Sequence, residues 1–434
     1  MQRGAAWQRS ARREPREKER PEVSRGKLHG SQWTTLPEPV RRASRARHRV
    51  GWPNDVPPSA GGGARKLMKI HGIGAHVSRI ILVVMLGACA RDRAGMGRDA
   101  GESKSVGPKT IALLLPESKT ARYESKDRPF FEAKVKALCP LCQVLASNAN
   151  QDAAQQQAQA EAALTNGAEV LVLDAVDSAS ATAIATKAKA QRVPVVAYDR
   201  LIPGTDAIDY YVSFDNEAVG KLQGEALLNA LAGKAQARVV MINGAATDSN
   251  GILFKKGAHS ALDGKVLVLK EYDTPDWSPD KAQDEMTQAL TAVGDGLDGV
   301  YAANDGTAGG AIAAMKAAGL TSLPPVTGQD AELAAVQRIV LGEQYMTVYK
   351  AIRPQAEAAA VIACHLVAGE PVPPEITGGK VVNNGKKDVP SVLLAPVSVT
   401  REKVKDTVLA DAFWTREQVC SGRTEGACKA LGLL

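Results

Sequence analysis

The sequence predicts an α/β protein built as two doubly wound parallel-sheet lobes, and three observations carry that prediction. From Lys109 onward, short β-branched apolar runs alternate with helix-forming segments. The runs are apolar on consecutive residues, as expected of strands buried on both faces. They fall into two series, each about the size of a compact domain.

The elements follow in order. Thr110 to Leu115 reads as a buried strand, and 144–146 as the next. Asp152 caps an Ala/Gln-rich helix that stops at Asn166-Gly167, with glycine just past the end. The run 169–173 is a strand, a helix spans about 179–190, and 193–198 is again a strand. The second series places strands near 238–242, 266–269, 299–302, 325–327 and 345–348. Strands alternating with helices imply right-handed βαβ units.

The chain has 434 residues and a formal charge of +7, a balance that invites a nucleic-acid reading. The charge is local. Residues 1–67 hold 16 Lys or Arg against 6 Asp or Glu, so residues 68–434 carry a net −3. This leader is rich in Arg, Pro, Ser and Gly and lacks apolar periodicity, so it reads as a disordered basic segment that translation starting at Met68 would omit. From Met68 come Lys69, His71 and Arg79, then the apolar run Ile80-Ile81-Leu82-Val83-Val84-Met85-Leu86, then Gly87-Ala88-Cys89. These are the parts of a secretory signal, too short to span a bilayer. Leu86-Gly87-Ala88-Cys89 resembles a lipoprotein cleavage box, which assigns 68–89 as a signal peptide with Cys89 lipidated. Residues 90–108 would be a tether, and the protein would sit outside the cytoplasm on a lipid anchor. Cys139 and Cys142 flank a Pro-containing turn, and Cys420 and Cys428 a Gly-containing one; both pairs are close enough to bridge after export. A redox role for the first pair is the alternative to a structural bridge.

In open parallel sheets, ligands bind beyond the carboxyl ends of the strands. Those ends carry Arg122-Tyr123, Asp199-Arg200, Asn304-Asp305, Gln329-Asp330 and Lys350. Carboxylate, carboxamide and guanidinium suit the hydroxyls of an uncharged polyol. Tyr123 and Trp277 offer faces for the C–H side of a pyranose. Asp or Asn in such a turn also reads as a plain helix cap.

At these residues the sequence resembles the type I periplasmic sugar-binding proteins. The stretches that carry the resemblance are Val196-Ala197-Tyr198-Asp199-Arg200, Val212-Ser213-Phe214-Asp215-Asn216-Glu217, and Asn304-Asp305-Gly306-Thr307-Ala308-Gly309-Gly310. Further ones are Gly328-Gln329-Asp330-Ala331, Met346-Thr347-Val348-Tyr349-Lys350 and Val382-Asn383-Asn384-Gly385-Lys386-Lys387-Asp388-Val389-Pro390. The resemblance implies a three-strand hinge, a monosaccharide (D-xylose foremost) held between the lobes, and an ABC permease as partner of a monomer. It implies sugar contacts from Arg122, Tyr123, Asp199, Arg200, Asn250, Trp277, Asn304, Asp330 and Lys350. It places 109–213 with 346–378 in the first lobe, 214–345 with 379–400 in the second, and 401–434 as a C-terminal extension.

Other classes fit less well. A sugar-responsive repressor of the same fold would begin with a helix-turn-helix, which 1–67 lacks. An enzyme would need a nucleophile, metal cluster or phosphate loop; no GxSxG, P-loop or metal-spaced His/Cys cluster occurs, and no metal or cofactor is implied. A binding protein reporting to a sensor kinase has the same lobes and stays open as the alternative.

Overall fold

The computed structural model describes residues 108–294 and 296–434. The leader 1–67, the signal 68–89 with Cys89, and nearly all of the tether lie outside the described residues.

The first lobe is entered along β1 (Thr110–Leu115), β2 (Gln143–Asn148), β3 (Val170–Leu173), β4 (Val195–Tyr198) and β5 (Tyr210–Phe214). The chain then crosses to the second lobe for β6 (Ala237–Asn243), β7 (Val266–Asp273), β8 (Gly299–Ala302) and β9 (Met346–Tyr349). It returns through the helix Ile352–Ala368 to β10 (Val381–Asn383) and β11 (Asp388–Leu394), and crosses once more to β12 (Val397–Thr400). Three crossings therefore join the lobes.

The first sheet has seven strands in the order β10-β11-β5-β4-β3-β1-β2, parallel except for the β10–β11 hairpin. Its two faces are both covered, which is why its strands are apolar throughout. Ile111 and Leu113 pack on one side with Ala359 and Ile362 of the helix Ile352–Ala368. Ala112 and Leu114 pack on the other with Ala160 and Ile184. In the second lobe, β7-β6-β8 form a parallel sheet, extended by single bridges at Val326 and Gln329 toward the antiparallel pair β9–β12.

Three sequence expectations are corrected. The strand expected at 325–327 shrinks to one bridge at Val326, because Pro324 and Pro325 have no N–H to give a ladder. Residues 381–394 belong to the first lobe, since Ser391 to Leu394 pair in parallel with Tyr211 to Phe214. Residues 346–349 belong to the second, paired with 397–400 and bridged to Gln329.

Cys139 is bonded to Cys142 and Cys420 to Cys428. The extension past Thr400 is more than an appendage. Phe413, Val419 and Cys428 share a core with Tyr349, Ile352 and Ile339. Lys126 of the first lobe donates to Phe413 O at 2.6 Å with its ammonium 3.9 Å from the Trp414 ring centre. Trp414 Nε1 in turn donates to Ala331 O in the second lobe at 2.7 Å. No helix among the described residues is long and apolar enough to cross a membrane.

Candidate functional site

All nine residues expected to touch sugar line one cavity between the lobes. Each sits just beyond a strand. Arg122 and Tyr123 follow β1, Asp199 and Arg200 follow β4, and Lys350 follows β9. Asn250 comes from the first turn of the helix Ser249–Leu262 that follows β6, Trp277 from the turn after β7, Asn304 from that after β8, and Asp330 follows the bridge at Gln329. The sharp exits demand unusual backbone: Asp199, Trp277 and Asp330 have φ of 57°, 53° and 91°. Such residues cost about 1–3 kcal/mol each and persist where surrounding structure enforces them.

Arg122 is the hub of the first lobe. Its Nε and Nη2 grip Asp127 at 3.0 and 2.7 Å. Nη2 also donates to Gln355 Oε1 at 2.7 Å, and Nη1 to Asp199 Oδ1 at 3.2 Å. Asp199 further accepts from Gln355 Nε2 at 3.1 Å, and from Tyr123 OH and, across the cleft, Asn250 Nδ2, both at 3.3 Å. Burial alone would raise the Asp199 carboxyl; Arg122, Lys350 and Arg200 outweigh it and hold the group far below the usual carboxylate range. Asp199 therefore stays a charged acceptor. Opposite lies Asp330, with Lys350 Nζ 3.3 Å and Arg122 Nη1 3.7 Å from its Oδ1. No protein group donates a hydrogen bond to that oxygen among the described residues. A buried acceptor of this kind is where a ligand hydroxyl bonds best.

Asn304 is both cap and cavity residue. Its Oδ1 accepts from Thr307 N at 2.8 Å in a capping box, while its amide nitrogen makes no protein hydrogen bond among the described residues. Trp277 turns its ring to the cavity and anchors Nε1 on Asp248 Oδ2 at 3.0 Å. Gly244 makes room for that ring: a Cβ there would lie 1.9 Å from Trp277 Cη2. Gly244→Ala is expected to displace the indole and weaken ligand binding by about 1–3 kcal/mol, the usual range for overpacking. Titration of the variant alongside its thermal unfolding checks this; an unchanged affinity would place the ring outside the ligand's reach.

Four cavity residues escaped the sequence reading of sugar contacts: Thr120, Asp248, Phe254 and Gln329. Gln329 was read as a strand-end residue but not among the implied sugar contacts, and Asp248 stood two before one of them. Phe254 lies within a helix, where nothing in the local pattern separates a lining residue from core.

A second layer braces the loop that bears Asp330. Asp305 Oδ1 accepts from Gln344 Nε2 at 2.8 Å, and Oδ2 from Thr347 Oγ1 and Glu332 N, both at 2.9 Å. Burial pushes Asp305 up to about 7 and, with help from Asp305 and Asp330, Glu332 up to about 8. Acids raised on folding contribute stability below their unfolded values and lose it as pH passes their folded ones. The melting temperature is accordingly expected to fall from pH 5 to about pH 8, most steeply below neutrality where both groups are protonated in the folded chain and ionised in the unfolded one, and to level off above. A flat or rising profile in buffered calorimetry would contradict this assignment.

Two lobes closing on a cavity of uncharged-polyol chemistry define a ligand-sequestering binding protein. Residues 111–371 match the model of the periplasmic binding protein domain, and the chain belongs to that family. It is 38% identical over 314 residues to the D-xylose-binding periplasmic protein of Haemophilus influenzae, covering 71% of this chain and 91% of the relative. The Escherichia coli D-xylose-binding periplasmic protein is 38% identical over 308 residues, 70% and 90% of the two chains. Among solved structures, an ABC transporter solute-binding protein from Clostridium phytofermentans with bound β-D-glucose superposes with TM-score 0.66 at 30% identity, covering 72% of this chain and all of that one. The chain is thus an extracytoplasmic sugar-binding protein of the ABC-importer type, in a non-catalytic family. Among the described residues no group of three His, Cys, Asp or Glu is placed to hold a metal.

Proposed function

We propose that the chain captures D-xylose between its lobes as a monomer and hands it to an ABC permease while tethered to the membrane through lipidated Cys89. The reading rests on one observation above others: charged and amide groups from both lobes converge on a single cavity, with Arg122 and Asp199 facing Asn250, Asn304 and Asp330. A polyol that bonds both sides stabilises the closed arrangement over the open one. A micromolar ligand supplies about −8 kcal/mol, enough to shift a hinge equilibrium of a few kcal/mol. The relatives named for D-xylose support the pentose. D-glucose is the second reading, favoured by the glucose bound in the 30% identical solved structure. The anchor and signal are proposed from the order of Arg79, the apolar run and Cys89.

Calorimetric titration of the full chain with xylose, glucose, ribose, arabinose and galactose tests the proposal, together with Asp199→Ala and Asn304→Ala. Micromolar xylose binding that is lost in both variants is the expected result. Binding of another sugar, lost in the same variants, moves the substrate within the class. No heat with any of the five removes the monosaccharide reading.

A further inference from the structure

We propose that Asp174 is a positioning residue for sugar capture, a second seat for the Arg200 guanidinium that holds it when the lobes part and yields it to Asp248 when they close. The inference rests on the sugar-binding reading above. Arg200 is fixed within the first lobe: Nη1 donates to Ala175 O at 2.8 Å and Nη2 to Tyr123 OH at 3.3 Å. Its Nε lies between two carboxylates, 2.9 Å from Asp248 Oδ2 in the second lobe and 3.5 Å from Asp174 Oδ1 in its own. Nε is aligned for a hydrogen bond with neither.

The two carboxylates differ in everything else. Asp248 is tied to its own lobe, accepting from Asn250 N at 2.8 Å and Trp277 Nε1 at 3.0 Å, so it leaves with that lobe when the cleft opens. Asp174 follows β3 directly, is wholly buried, and neither side-chain oxygen accepts a hydrogen bond among the described residues. A buried carboxyl without a donor is an expensive arrangement that calls for an explanation. The partner exchange supplies one. In the open cleft Asp174 is the carboxylate beside Arg200 that belongs to the same lobe, and closure brings a better-placed competitor.

A proton then becomes part of the closure. The groups facing Asp174 are Arg122, Arg200 and Tyr123, and the acids Asp199 and Asp248; Glu117 faces Arg200 from the end of β1. Burial pushes the Asp174 carboxyl well above its usual range, with Asp199 and Asp248 adding to the shift and Arg200 and Arg122 opposing it. The closed protein therefore binds more protons at this site than the open one, where water reaches Asp174 and Asp248 is absent. Affinity is greatest at low pH and declines as pH rises through the closed-state range of Asp174.

The test titrates the full chain with D-xylose and D-glucose from pH 5 to 8.5, comparing the parent with Asp174→Asn. The parent is expected to lose affinity with pH, by up to about tenfold per unit for the one proton involved. Asp174→Asn should bind at least as tightly as the parent at pH 5, gain on it as pH rises, and show a slope shallower by about that proton. Ionisation of Asp305 and Glu332 is common to both proteins and cancels in the comparison. Equal slopes, or a uniform loss of affinity at every pH, would overturn the proposal. A second measurement needs no variant: xylose binding to the parent at pH 7 in two buffers of different ionisation heat should reveal proton uptake, and zero uptake would sink the idea. Binding without any pH slope refutes this inference alone, whereas no binding of either sugar at any pH removes the sugar reading with it.

Discussion

Replacing Arg122 with alanine is expected to abolish measurable sugar binding and to lower the stability of the folded chain by about 3–5 kcal/mol. The guanidinium is buried and holds two carboxylates, Asp127 through two bonds and Asp199 through one, with Asp330 at 3.7 Å. Taking it away leaves Asp127 without its forked partner and Asp199 with the more distant Lys350 Nζ at 3.9 Å. Both buried carboxylates then lose the cation they share; Asp127 keeps the Tyr198 hydroxyl and Asp199 its neutral donors and Lys350, and the charge left over must draw in water or take up a proton. Because Asp199 also lines the cleft, its rearrangement is expected to disturb the proposed sugar contact along with the stability. Arg122→Lys should recover only part of it, since an ammonium cannot reproduce the planar fork on Asp127. Denaturant unfolding and sugar titration on both variants check the prediction. An alanine variant that unfolds at the parent's midpoint would mean the network is replaceable by solvent.

Gly220→Ala is expected to destabilise the second lobe by about 3 kcal/mol, at the top of the usual overpacking range, and to weaken sugar binding with it. The helices Asn216–Ala230 and Ser249–Leu262 cross with their backbones almost in contact. A Cβ on Gly220 would lie 1.9 Å from Phe254 O, and one on Gly257 only 2.0 Å from Glu217 O. Neither obstacle is a side chain that can swing aside, so the whole helix must move. The helix that moves carries Asn250 and Phe254, both lining the cleft. Thermal unfolding and titration of the variant should therefore fall together. A lowered melting temperature with unchanged affinity would show that the cleft does not depend on this crossing.

The parts of the site that were legible in the sequence are those governed by local rules. A strand ends, the chain turns, and a polar residue stands at the turn; Asp199, Asn304 and Asp330 were visible for that reason. What supports them was not. Asn216 and Gln355 reach the cleft through contacts made at sequence separations of 34 and 233 residues, with Asn250 and Arg122. Gln355 sits in an apolar helix where a polar residue looks like a surface position, yet it is buried. Asp174 escaped notice because it ends a strand that carried no other polar signal. The fold shows the same division. The βαβ alternation revealed both lobes, but the return of 381–394 to the first sheet depends on a partner, Tyr211 to Phe214, far back in the chain. No window of sequence contains both.

That return has a consequence for how the protein comes to be made. The outer edge of β5 has no partner until residues 388–394 have been synthesised, because β11 alone fills it. An unpaired parallel edge is a place where a growing chain can pair wrongly. Neither lobe can be finished from a contiguous stretch, since the second likewise waits for β12 to pair with β9. A chain emerging from the ribosome therefore stays incomplete almost to its end. The segment order itself therefore leaves the sheets of both lobes unfinished until nearly the whole length has been made.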